Sequence, residues 1–276
     1  MTATTHPDGS AGLPLQWAAA ALEMALTAAT APPVLGIAGV QGSGKSTLAA
    51  QLASLAGARG LRVAVLSLDD VYLSRQRRAR LAADVHPLLQ TRGPPGSHDL
   101  PLALEVISQL RAGAPTRLPR FDKLADDPWP LGQWPRIEGK VDLIVLEGWC
   151  LCVPAESQQA LLEPINALER EEDGDGRWRQ WCNQRLASDY PPLWQLVQPL
   201  ICLQAPDFDV VPLWRWQQEQ SLAANRPGRT PMTLAQIRRF VQFFERISRQ
   251  GLRIWPSIAD STLALDDQRR PIPPLR

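Results

Sequence analysis

A chain of 276 residues with a formal charge of +1 at pH 7 is long enough to bury a substantial core, and its balanced charge gives no field that would draw in nucleic acid or a membrane surface. Four cysteines, Cys150, Cys152, Cys182 and Cys202, form no CxxC pair and accompany no histidine cluster at zinc-ligand spacing. That pattern sets aside a metal scaffold and a disulfide framework, points to a reducing, cytoplasmic setting, and leaves a small molecule as the expected partner.

In chain order, residues 1–31 read as a polar tail followed by an amphipathic helix over about 15–29. Glu23 and the absence of a basic stretch before that helix argue against a signal peptide or an anchor. Pro32-Pro33 ends it, and residues 32–276 read as a single domain. Val34 to Ala38 is a short apolar run suited to a buried strand, and Gly39-Val40-Gln41-Gly42-Ser43-Gly44-Lys45-Ser46 then fits GxxxxGK[ST], the Walker A phosphate loop, at every fixed position. A helix from Thr47 to about Ala58 follows, and a strand, a glycine loop and a helix N-terminus in that order form an anion site. Gly39, Gln41, Gly42, Ser43, Gly44, Lys45, Ser46 and Thr47 are therefore the predicted nucleotide-binding residues for ATP, with Lys45 reaching the β- and γ-phosphates and the Ser46 hydroxyl serving Mg²⁺.

A second buried strand over 62–68 ends in Asp69-Asp70, a helix is expected over Pro101 to Ala112 with Gly113 as its cap, and 115–139 reads as a surface loop. Arg75, Arg77, Arg78 and Arg80 read as a solvated helix face. The third strand, 141–146, ends at Glu147, which in a chain with a phosphate loop is the Walker B arrangement and a second Mg²⁺ candidate. Residues 155–196 read as largely helical, and the acidic turn at 171–176 lacks the ligand spacing of a calcium loop. A fourth strand over 200–203, helices over Leu213–Ala224 and Leu234–Arg249, and a fifth strand over 261–265 complete the pattern. Five strands alternating with helices predict an α/β fold with a doubly wound five-stranded parallel sheet and ligands at the strand C-termini.

Phosphoryl transfer needs alignment, charge neutralisation and a group that takes the acceptor's proton. Asp69, Asp70 and Glu147 should open on one sheet edge, where one carboxylate activates an acceptor hydroxyl while another holds Mg²⁺. Asp69 is the expected base, and Asp70 is either a second catalytic carboxylate or a helix cap. The segment 225–231, with Arg226 and Arg229, has the composition of a lid that closes over the phosphates. Arg92, His98 and Asp99 share a rigid Pro/Gly loop suited to a polar, anionic acceptor. Only Lys45, Lys123 and Lys140 of the 29 basic residues are lysines, so the two inside motifs carry weight.

Several segments carry a resemblance: Ser67-Leu68-Asp69-Asp70-Val71-Tyr72, Leu89 to Leu100 with its RGPPGSHD core, Pro119-Arg120-Phe121-Asp122-Lys123, Leu146-Glu147-Gly148-Trp149, Asn166-Ala167-Leu168-Glu169 and Trp214-Arg215-Trp216-Gln217-Gln218-Glu219. With the phosphate loop they resemble the phosphoribulokinase, uridine kinase and pantothenate kinase group of P-loop kinases, and most closely the plant-type D-glycerate 3-kinases. The resemblance implies transfer from ATP to D-glycerate to give 3-phosphoglycerate, Asp69 as the acceptor-activating residue, and substrate contacts at Arg92, His98, Arg120 and Lys123. Val71 stands where that family usually has an aromatic residue, and the lid is less glycine-rich than the family's. The alternatives are a kinase for a nucleoside, pantothenate or a sugar phosphate, or a P-loop nucleotide switch. A nucleoside would call for an aromatic slot beside Asp69, where the sequence offers Tyr72 alone.

Overall fold

The computed structural model describes residues 13–28, 30, 32–224 and 231–272. Five strands build one sheet: β1 (Val34–Gly39), β2 (Val63–Ser67), β3 (Leu143–Gly148), β4 (Leu200–Gln204) and β5 (Ser261–Ala264). All pair in parallel, in the order β2-β3-β1-β4-β5, as the aliphatic runs predict. The inner strands β1 and β3 are buried at every position, so VLGIAG and LIVLEG need no polar alternation, whereas β2 at an edge alternates. The chain leaves β1 for one edge and later crosses to the other, which opens a crevice at the strand C-termini. Register sets Glu147 beside both Ser67 and Ile37, so the ends of β1, β2 and β3 meet on one rim.

Helices α1 (Leu15–Leu26) and α2 (Lys45–Ala58) pack together, and Ala18, Leu22 and Ala25 of α1 join the central core. Next come α3 (Arg75–Asp84) and α4 (Leu100–Ala112), the latter closed by Gly113 in a left-handed cap. The stretch 115–139 is more ordered than a loop: Thr116–Arg117 pairs with Arg136–Ile137 and Phe121–Asp122 with Asp127–Pro128, and Phe121 is buried. Residues 155–196 are less helical than expected. They hold α5 (Ala167–Glu172), α6 (Arg177–Ser188) and α7 (Pro191–Trp194) after an irregular start that includes Pro164. In the acidic turn, Asp173 is consumed by the backbone N–H groups of Trp178 and Arg179 and by the Arg179 guanidinium.

The last helices are α8 (Val211–Ala224) and α9 (Leu234–Ile258), which runs past its predicted end at Arg249. A capping box of Thr233 and Gln236 starts α9. Pro256 removes the N–H that would bond Leu252, but the Gln204 side chain donates to that carbonyl at 3.1 Å, so the helix continues through the proline. Arg246 of α9 grips Glu169 through Nε at 2.8 Å and Nη2 at 2.6 Å, and also donates to the carbonyls of Ala160 and Glu163. Glu169 is buried. Replacing Arg246 with alanine would leave that carboxylate without its cation, and we expect a loss of about 3 kcal/mol or more in urea unfolding. A change within the error of the unfolding curves would show the grip to be dispensable.

Candidate active site

The phosphate loop follows from its glycines. Gly42 has φ +82°, and a Cβ there would stand 2.8 Å from Cβ of Trp214, so a side chain would push the loop off α8. Gly44, at φ +96°, turns the chain into α2 and leaves the first N–H groups of that helix facing outward. Lys45 is buried and donates from Nζ to the Val40 carbonyl at 2.9 Å. Burial lowers its pKa, against the opposing pull of Glu147 and Asp69. Ser46 Oγ donates to Glu147 Oε1 at 3.0 Å, which brings together the hydroxyl and carboxylate assigned to Mg²⁺. Gln41 Nε2 and Ser43 Oγ are buried without a hydrogen-bond partner among the described residues. Unmet donors on a loop whose turns require glycine fit a polyphosphate.

Asp69 stands just past β2. Its Oδ1 accepts from the Tyr72 hydroxyl at 2.6 Å and its Oδ2 from Lys123 Nζ at 2.5 Å. Burial pushes its pKa up, but the charge and hydrogen bond of Lys123 and the hydrogen bond of Tyr72 outweigh it, holding the carboxyl well below the usual range. Asp69 is therefore ionised at neutral pH, as a proton acceptor must be.

A cavity of about 750 Å³ joins these groups, lined by Lys45, Ser46, Asp69, Glu147, Arg92 and Lys123 among others. Arg215 of α8 also lines it, donating to Gln218 Oε1 at 2.7 Å, with its pKa lowered by burial and supported by Asp69 and Glu219. Sequence reasoning gave Arg215 no role, although the segment Trp214 to Glu219 carries part of the resemblance. The expectation of a single aromatic residue beside the site is also corrected. Tyr72, Phe121, Trp129, Trp149, Phe240 and Phe244 all line the cavity, brought from distant segments, with the Trp149 and Phe244 rings edge to face at 5.0 Å.

Other predicted site residues are engaged elsewhere. Asp70 neither caps a helix nor lines the cavity: it accepts from the Phe121 N–H at 3.2 Å and from Arg120 at 3.3 Å, tying the segment that enters the Phe121–Asp122 strand to the end of β2. Arg120 spends a further bond on the Pro119 carbonyl. Asp99 caps α4 through the Leu102 N–H and pairs with Arg77. His98 lies behind Tyr72, ring to ring at 4.9 Å. Burial, against the pull of Asp69, lowers its pKa to about 4, so the ring is neutral. The Tyr190 hydroxyl accepts from the Gly96 N–H at 3.0 Å and shares a 2.6 Å hydrogen bond with His98 Nδ1, which holds the ring in place behind Tyr72. Arg78 corrects the reading of a solvated arginine face: it is fully buried and clamps Asp126, which also pairs with Arg92. Arg226 and Arg229, with nearly all of the predicted lid, lie outside the described residues.

Comparison with known proteins agrees with this architecture. The family model of methylmalonyl Co-A mutase-associated GTPase MeaB matches residues 11–74, the stretch that holds the phosphate loop and Asp69. The chain is 33% identical to the uncharacterized kinase mug58 of Schizosaccharomyces pombe, over 70% of this chain and 72% of that one. It is 28% identical to the chloroplastic D-glycerate 3-kinase of Arabidopsis thaliana over 76% of this chain, a match spanning 45% of the longer plant protein. Among solved structures, the D-glycerate 3-kinase of Cryptococcus neoformans superposes with a TM-score of 0.73 at 25% identity, covering 94% of this chain and 96% of the other. No helix among the described residues is long and apolar enough to cross a membrane. A parallel sheet in this order, a complete phosphate loop and a relative matched over most of both chains lead to one conclusion: the chain is an ATP-dependent P-loop kinase and belongs to the same kinase family as mug58, with the D-glycerate 3-kinases among its similar proteins.

Proposed function

We propose that this kinase transfers the γ-phosphoryl group of ATP to a hydroxyl of D-glycerate, giving 3-phosphoglycerate. The observation that carries the reading is the juxtaposition of Asp69 and Lys123 in the cavity onto which the phosphate loop opens. A carboxylate that accepts a hydroxyl proton and a cation that pairs with an acceptor carboxylate stand side by side, as a hydroxy acid requires. The names of the Arabidopsis and Cryptococcus relatives support the same acceptor. In this reading Lys45, Arg215 and the N-terminus of α2 hold the phosphates, and Arg92 and Lys123 hold the acceptor carboxylate. Ser46 and Glu147 would hold Mg²⁺, which supplies charge neutralisation between the β- and γ-phosphates when bound. The lid arginines Arg226 and Arg229 would close over the phosphates. The four unpaired cysteines support a reducing, cytoplasmic setting.

The aromatic lining favours one rival, a nucleoside acceptor. A coupled assay of ADP release with Mg-ATP and a panel of D-glycerate, L-glycerate, uridine, pantothenate and ribulose 5-phosphate separates the two. D-glycerate is expected to drive ADP release and the other acceptors to stay near background. Release driven by uridine, or release independent of any acceptor, would overturn the assignment.

A further inference from the structure

In the resting site the expected base is capped on both oxygens, by Tyr72 on Oδ1 and by Lys123 on Oδ2. The two caps differ in kind. Tyr72 is fixed: it is buried, packed against the rings of His98 and Phe121, and bridged through its backbone to His98. Lys123 is not. It stands at the turn between Phe121–Asp122 and Asp127–Pro128, with its side chain 56% exposed against 35% for Asp69, so it covers the carboxylate from the solvent side on a rotatable stem. A carboxylate neutralised by an ammonium group is a weak proton acceptor, and loss of that partner in a half-buried site restores its basicity. Arg92 lines the same cavity and offers a second cation to an entering anion.

We infer that Lys123 makes transfer conditional on an acidic acceptor: it masks Asp69 in the empty site, and an acceptor carboxylate draws it away and frees the base. The inference rests on the hydroxy-acid reading above and adds to it the source of selectivity. Once unmasked, Asp69 Oδ2 takes the proton of the acceptor hydroxyl as that oxygen bonds to the γ-phosphorus. The bond from phosphorus to the β,γ-bridging oxygen breaks, its electron pair leaves on ADP, and the proton passes from Asp69 to solvent. An uncharged polyol, or water, offers nothing to withdraw Lys123, so Asp69 stays masked and ATP is spared.

The test compares wild type, Lys123→Met and Lys123→Arg with D-glycerate, with glycerol, which has the hydroxyls without the carboxylate, and with no acceptor. Circular dichroism confirms folding, which an exposed turn residue should not disturb. For Lys123→Met, kcat/KM on D-glycerate should fall by roughly 10- to 100-fold, the loss of a charge-assisted hydrogen bond. Its rate on glycerol should rise, and acceptor-free ATP hydrolysis should rise by roughly three- to tenfold as Asp69 turns to water. Lys123→Arg keeps the charge in a stiffer fork, so KM for D-glycerate should stay near wild type while kcat falls. Equal losses on both acceptors with unchanged hydrolysis, or wild-type selectivity in Lys123→Met, would overturn the inference. Wild type that ignores D-glycerate would sink the functional reading alone; the acceptor-free comparison would still decide for or against masking by Lys123.

Discussion

Replacing Asp69 with asparagine is expected to lower phosphoryl transfer by about 10²- to 10⁴-fold, the usual worth of a positioned general base, while ATP affinity changes only several-fold. The amide is nearly isosteric and still accepts from Lys123 or Tyr72, so the 119–128 segment should keep its place. What it loses is the ability to take a proton. Lys45, Ser46 and the α2 N-terminus do not depend on Asp69 for a hydrogen bond, which is why nucleotide binding should persist. Single-turnover product formation, with an equilibrium titration of a non-hydrolysable ATP analogue, reads the two quantities separately. Full transfer by Asp69→Asn would remove Asp69 from the base position.

Lys45→Ala is expected to cost about 10²- to 10³-fold in transfer, as losing one preorganised charge at the transferring group does. The same substitution should not weaken the nucleotide-free protein much. Burial already lowers the Lys45 pKa, so the folded state bears the cost of desolvating that ammonium, and its removal relieves the cost while leaving a small void. Thermal unfolding with and without Mg-ATP makes the distinction. The variant should melt within a few degrees of wild type without nucleotide and show little of the upward shift that binding confers. Normal turnover, or an undiminished ATP-induced shift, would contradict the role given to the loop lysine.

The sheet was legible because strands covered on both faces must be aliphatic throughout, and VLGIAG and LIVLEG have no other economical use. The phosphate loop was legible because its positive-φ turns restrict the residue type to glycine. The cavity wall was not. Arg215, Trp149 and Phe244 reach it from α8, the end of β3 and α9, and no local pattern marks which helical side chain tertiary packing will turn toward a distant loop. Arg78 shows the same limit: its partner Asp126 lies 48 residues away, so a buried clamp read as surface charge. Asp70 and Asp99 sit in the right segments, but the choice between chemistry and capping was made by neighbours from other segments, Phe121 and Arg120 for one and Arg77 for the other. The helix read as Leu234–Arg249 runs on through Pro256, because the carbonyl that proline leaves free is met by a side chain from β4.

In the proposed reaction this site places phosphate on the terminal hydroxyl of D-glycerate. Proton-coupled phosphorus NMR of the product formed from D-glycerate and Mg-ATP tests it most directly. A new phosphate monoester resonance is expected, split into a triplet by the two hydrogens of the C3 methylene. A doublet, from phosphate on the C2 carbon, would contradict the regiochemistry, and the growth of ADP and inorganic phosphate with no monoester signal would contradict the assignment itself.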